Sequence, residues 1–263
     1  MTALTLLTKI YSSTQRREID ETIKNLFEGL DAQAAVDHSL NDRWVHVTLS
    51  GEDESVATNL LARDFGFCPE TLQSVEKASV LKGFVTNIEK SKELTVDIGV
   101  SKPKATNASI PLSNLQMQLA GGKKSSLQKI AETWGISEYL PLTIKIINVN
   151  AEENKIEAEL ANEQIEKLML WRDSLLDRLL VLGASRNQLD MAVEQAELDR
   201  DVINIEALGM FEHALVCKLG TDAAGLISRI GRRLRKAKFT VFNPKRIIAF
   251  LEAPQAPILK TAT

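Results

Sequence analysis

The sequence predicts a multidomain α+β protein, and three observations predict it. Apolar residues alternate between helical and strand periods over the first 75 residues, strands dominate the middle of the chain, and the charge changes sign from Lys218 onward. The expected parts are an α/β sandwich over residues 1–75, a barrel over 78–161, a helical hairpin over 163–200, a basic α+β module over 201–253 and a flexible tail over 254–263. A chain of 263 residues is long enough for two or three small domains.

The first part reads strand, helix, strand, strand, helix. Leu4–Tyr11 is rich in strand formers, and from Thr14 the residues Ile19, Ile23, Leu26, Phe27 and Leu30 recur at helical spacing. Val45, Val47 and Leu49 alternate with Trp44, His46 and Thr48, as in a half-buried strand. Val56, Leu60, Leu61 and Phe65 mark a second helix closed by Gly66. This order suits a ferredoxin-like α/β sandwich, or a truncated one.

The middle part carries strand signals at Val80–Val85, Leu94–Val100, Ile110–Ser113, Leu142–Val149 and Lys155–Leu160, with a helix from about Ser125 to Trp134. Five strands with a helix between the third and fourth is the order of an OB-type barrel. The motifs Gly83-x-Val85, Val96-Asp97-Ile98-Gly99, Ile110-Pro111-Leu112-Ser113 and Ile156-x-Ala158-x-Leu160 resemble the S1-like OB β-barrel of RNA-associated proteins. Taken whole, the chain resembles an uncharacterised archaeal family known as a domain of unknown function, which implies an archaeal origin. Barrel, helical segment and small α/β module in this order resemble the alpha subunit of archaeal and eukaryotic translation initiation factor 2. That factor begins with its OB domain, whereas an α/β domain comes first here.

Residues 163–200 predict two helices. Ile165, Leu168, Met169, Leu175, Leu176 and Leu179 form one stripe, Gly183 ends it, and Ser185 with Gln188 is a capping-box pair that starts the next helix. The last module reads ββαββ: Val202–Leu208 and Phe211–Lys218 flank a Gly209-Met210 turn, a basic helix follows from about Asp222, and Phe239–Phe242 and Arg246–Leu251 flank a turn at Asn243-Pro244-Lys245.

Charge supplies the functional lead. Lys218 to Arg246 holds nine basic residues and one acid, Asp222, in a chain of net charge −3. On a helix, Leu226, Ile227, Ile230 and Leu234 share one face and Arg229, Arg232, Arg233 and Lys236 the opposite one. Arginine binds phosphate through a planar two-pronged fork. The expected nucleic-acid-binding residues are therefore Arg229, Arg232, Arg233, Lys236 and Lys238 on this helix, with Lys82, Phe84, Lys123 and Lys124 on the barrel. The other reading of the same face is a docking site for an acidic protein, or for the acidic hairpin of this chain.

Catalytic and metal-binding classes find little here. His38, His46 and His213 have no ligand spacing, and Cys68 and Cys217 have no CxxC partner and read as reduced thiols of a cytoplasmic protein. Gly220 to Gly225 lacks the Lys-Ser/Thr of a phosphate loop, and Thr221 or Asp222 reads as a helix cap. No run approaches the roughly 18–20 apolar residues of a membrane span. The sequence thus points to a non-catalytic protein without cofactor or metal, whose partner is RNA or a ribonucleoprotein such as the ribosome, or an acidic protein.

Overall fold

The computed structural model describes residues 1–38, 43–86, 88 and 92–253. The 254–263 tail and Lys90 lie outside the described residues.

The first sheet has the order β1 (Thr2–Lys9), β3 (Trp44–Gly51), β2 (Ala32–His38), with both pairings antiparallel. Helices α1 (Ser13–Leu26) and α2 (Glu54–Asp64) cover it. Ile19 and Ile23 of α1 and Leu61 of α2 pack with Leu6, Val47 and Leu49, as their periodicity in the sequence predicts. Ser12 caps α1 by accepting from Gln15 N.

The second unit is a closed five-stranded barrel in the order β4 (Val80–Val85), β5 (Glu93–Val100), β6 (Thr106–Pro111), β8 (Lys155–Leu160), β7 (Pro141–Asn150). β6 and β8 are parallel and the other pairings antiparallel. Closure removes free edges, so alternate residues such as Val96, Ile98, Ile144 and Ile146 fill the interior. Gly83 is dictated by close approach, since a Cβ there would lie 2.6 Å from the Asp97 carbonyl oxygen. Helices α3 (Leu112–Leu119) and α4 (Leu127–Trp134) sit between β6 and β7, where one helix was expected, and α5 (Asn162–Asp173) follows β8. The third strand lies at Thr106–Pro111 and not at the expected Ile110–Ser113, because Leu112 and Ser113 open α3, whose Leu115 and Leu119 pack on the barrel core.

The structure then departs from the expected helical hairpin. Leu176 and Leu179 are not in a helix: Arg178–Leu182 is strand β9, and α6 (Arg186–Gln195) stands alone. The reason is burial on both faces. Leu179 and Val181 enter the core under α6, while Leu180 and Leu182 join the core shared with the barrel. A short continuous apolar run has no period that separates strand from helix. The capping box at Ser185 and Gln188 is present as expected.

β9 is a central strand of a four-stranded antiparallel sheet with β10 (Val202–Ala207), β11 (Glu212–Cys217) and β12 (Lys238–Phe242), in the order β10-β11-β9-β12. The expected ββαββ module is therefore incomplete without it. Helix α7 (Ala223–Ile230) connects β11 to β12. The expected last strand, Arg246–Leu251, is instead within helix α8 (Pro244–Glu252), where Asn243 caps Arg246 N at 2.8 Å and Pro244 occupies the first turn.

The three units share side chains. Phe211 of the third enters the core of the first, and Trp44 meets Phe84 edge-on at 5.5 Å between first and second. Phe242 of the third packs between Trp134 and Trp171 at 6.1 and 5.3 Å.

Candidate nucleic-acid interface

Helix α7 is eight residues long, shorter than the expected basic helix. It starts at Asp222, whose side chain accepts from Ala224 N at 3.1 Å, and ends at Ile230 with Gly231 as C-cap. Arg232 to Ala237 is a turn and bend segment. The apolar half of the expected helix still anchors it, because Leu226, Ile230 and Leu234 are buried beneath it. The cations sit on a fixed turn, for which helical geometry gave the wrong grouping.

That regrouping separates the arginines. Arg229 donates to Ala196 O at 2.7 Å and Glu197 O at 3.0 Å and pairs with Asp201 at 2.8 Å. Arg233 donates to Gln195 O at 2.5 Å and Arg229 O at 3.0 Å. Both place positive charge on the carbonyl end of α6, where the helix dipole favours it. The side chains of Arg232 and Lys236 are exposed and have no hydrogen-bond or ion-pair partner among the described residues. Arg235 makes a single long contact to Arg232 O at 3.4 Å. Lys238 pairs with Glu138 and stands 4.6 Å over the Tyr139 ring.

The barrel residues are placed differently from expectation. Phe84 is 2% exposed and covered by Trp44, so it offers no stacking surface. Lys82 donates to Leu208 O at 2.5 Å, and burial lowers its pKa. Lys123 donates to the carbonyls of Phe250, Leu251 and Ala253 and so caps α8, while its neighbour Lys124 is exposed. The cause is common to Phe84 and Lys82. They share the outer face of β4, and the first and third units occupy that face. Lys9 of β1 also reaches Asp97 of β5 there, in a partly buried ion pair at 2.5 Å.

The same junction holds a group the sequence did not mark. Glu212 is 1% exposed and accepts from Tyr11 Oη at 2.8 Å. Burial pushes its carboxyl up to about 7, against the opposing pull of the Tyr11 hydrogen bond and the Lys82 charge. Gly209 makes room for it, since a Cβ there would lie 2.2 Å from Glu212 Oε2. Arg178, 5% exposed, closes the α5–β9 corner by donating to Trp171 O, Ser174 Oγ and Leu176 O. Among the described residues no group of three or more His, Cys, Asp and Glu is arranged to hold a metal ion, and no helix is long and apolar enough to cross a membrane.

Arg232, Arg233 and Lys236 line one cleft of about 600 Å³, and Arg229, Arg232 and Arg233 a second of about 310 Å³. Lys82 lines a separate cavity of about 220 Å³ with Glu163 and Lys167. Lys82 and the arginines thus line different cavities. Arg235, Ser12 and Thr14, which are not among the expected binding residues, line the first cleft. The two hydroxyl residues lie in the first unit, so no local pattern could have paired them with the arginines.

The fold and site together define a multidomain α+β protein built around a closed barrel, with a cationic cleft between its first and third units. The chain belongs to the DUF2110 family: the DUF2110 N-terminal domain matches residues 3–71, the central domain residues 75–172 and the C-terminal domain residues 176–242. The structural maintenance of chromosomes protein 3 of Dictyostelium discoideum is 20% identical over 191 residues, covering 72% of this chain. The chain spans 13% of that protein's length. Among solved structures, an uncharacterized protein of Methanocaldococcus jannaschii is 16% identical, covers 34% of this chain and 95% of its own, and has a TM-score of 0.23. A chain of the a/eIF2alpha-aDim2p-rRNA complex from Pyrococcus horikoshii is 16% identical over 49% of this chain and 70% of its own, with a TM-score of 0.26.

Proposed function

We propose that this protein is a non-catalytic RNA or ribonucleoprotein-binding protein of translation or RNA metabolism, in which a basic segment of the third unit contacts the phosphate backbone. The observation that carries this reading is the cluster Arg232, Arg235 and Lys236, exposed on a turn that the core holds in place. Ile230 and Leu234 are buried on either side of Arg232 and fix the turn beneath it. Fixed cations lose less conformational freedom on binding than a floppy tail. The barrel is read as S1-like, from its motifs and its β4-β5-β6-β8-β7 order with one parallel pair. The first unit is read as a ferredoxin-like sandwich that lacks the fourth strand.

Electrophoretic and anisotropy binding with structured and single-stranded RNA tests the reading. Charge reversal of Arg232, Arg235 and Lys236 together is expected to weaken binding by about two orders of magnitude at low salt and to flatten its salt dependence. RNA binding unchanged by that variant, or absent in the wild type at low salt, sinks it.

One observation favours a second reading, a protein-interaction adaptor whose basic turn docks an acidic partner. The outer face of β4 is occupied by the chain's own first and third units, as in a scaffold. Affinity capture with and without nuclease separates the two: nuclease-resistant partners support the adaptor, and nuclease-sensitive ones RNA.

A further inference from the structure

The cleft of about 600 Å³ is built from two units. Ser12 and Thr14 at the start of α1, the exposed Met191 of α6 and the Arg232–Ala237 turn all line it. Its volume lies within the roughly 300–1,000 Å³ of small-ligand sites. Gln15 of α1 ties the Ser12 and Thr14 side of the cleft to the loop after β9, which also lines it, by donating to the buried Gly183 carbonyl at 2.9 Å. The cleft is thus a fixed feature of the fold.

Its lining has one sign. Arg232, Arg233, Arg235 and Lys236 contribute positive charge, and among the described residues no acidic side chain lines it, although the chain as a whole carries −3. Arg233 is held by Gln195 O and Arg229 O, so its guanidinium is set in place before any ligand arrives. The Arg232 and Lys236 side chains are unpaired among the described residues. Ser12 and Thr14 add hydroxyl side chains to the same lining, the Ser12 oxygen already accepting from Gln15 N. Four cations and two hydroxyl residues lining one cleft, with no carboxylate among the described lining residues to compete, suit a phosphate group. No aromatic side chain among the described residues lines the cleft, so a base would gain no stacking there.

We infer that this cleft is a seat for the phosphate of a nucleotide, either free or as one link of a single-stranded RNA. For the RNA source the inference rests on the function proposed above; for the free nucleotide it stands apart from it. Recognition of phosphate over base makes binding indifferent to base identity.

The test uses the full chain and three probes: uridine, uridine 5′-monophosphate and a fluorescein-labelled oligouridylate. Titration calorimetry reads the first two and anisotropy the third. Each of three variants lowers the net charge by one. Met191→Glu places a carboxylate in the cleft, Arg232→Gln removes a cation from it, and Arg246→Gln removes an exposed cation of α8 that does not line it. Loss of one charge-assisted contact is expected to weaken binding about tenfold for each cleft variant, and less than about twofold for Arg246→Gln. Circular dichroism checks that the exposed substitutions leave the fold intact.

Binding of the monophosphate but not uridine, lost in both cleft variants, supports a free-nucleotide source. If it comes without oligouridylate binding, the cleft stands and the RNA reading fails. Oligouridylate binding lost in both cleft variants supports the RNA source. Oligouridylate binding that all three variants weaken equally, or that Met191→Glu leaves unchanged, overturns the cleft while the RNA reading stands. Uridine binding as well as its monophosphate overturns phosphate recognition, and no binding of any probe overturns both.

Discussion

Glu212 carries the clearest pH consequence in the protein. Its folded-state pKa is raised to about 7 from an ordinary 4.5, so between those values the folded state holds a proton the unfolded state has lost. Its stabilising contribution is full below about 4.5 and is lost as pH rises through about 7. The loss is on the order of 3 kcal/mol. Glu212→Gln keeps an acceptor for Tyr11 and removes the proton. We expect it to be more stable than the wild type at about pH 8 and to lose the fall in stability on the alkaline side, as read by urea unfolding across the range. His213 acts in the opposite direction, because burial lowers its pKa and stability falls as the medium becomes acidic enough to protonate it. The difference between wild type and Glu212→Gln isolates the carboxyl. The arginines divide at the same scale. Arg229→Ala and Arg233→Ala remove donors from the end of α6 and are expected to cost about 1 kcal/mol each, whereas Arg232→Ala should stay within about 0.5 kcal/mol in chemical denaturation. The charge count around these residues is legible in sequence. Which of them the fold consumes is not, because the acceptors at Gln195, Ala196 and Glu197 lie more than a helix away along the chain.

At the scale of elements, β4 shows how one strand can be read correctly and its face wrongly. Its limits, Val80–Val85, are marked by the sequence, and Val85 enters the barrel core. Phe84 points the other way, and an aromatic on the outside of a barrel of this kind suggests stacking. Trp44 covers it instead. Phe84→Ala is therefore expected to lower stability by about 3–5 kcal/mol, with no change in RNA affinity when measured well below the melting temperature. A selective loss of affinity with stability intact would show that Phe84 reaches a ligand. β9 and α8 depart from expectation for different reasons. The Leu179–Leu182 run is apolar on both faces and carries no period, whereas α8 has a readable signal: Asn243 then Pro244 is a helix cap followed by a first-turn proline.

Across the whole molecule the three units are joined by shared cores. Phe211 lies in the first unit's core, and Phe242 and Ile247 lie in the barrel's. Units coupled this way unfold together. Calorimetry is expected to give one cooperative transition, and Phe211→Ala to lower it as a whole by about 3–5 kcal/mol of stability. Two separated transitions, with only the first moved by Phe211→Ala, would mean that the junction contributes little.

By itself the sequence determined the α+β class, four of the five barrel strands, the capping box at Ser185, a cap at Thr221 or Asp222, and the concentration of positive charge after Lys218. These depend on local period, local capping chemistry and a count of charges. Tertiary structure decided that β9 leaves the expected hairpin for the centre of the last sheet, and that the outer face of β4 is covered. It also decided that Asp222 is the residue that caps α7, and that Arg229 and Arg233 brace α6 while Arg232 and Lys236 line a cleft with Ser12 and Thr14. Most of those outcomes depend on which surfaces meet between segments far apart along the chain, and burial, not local propensity, selects them.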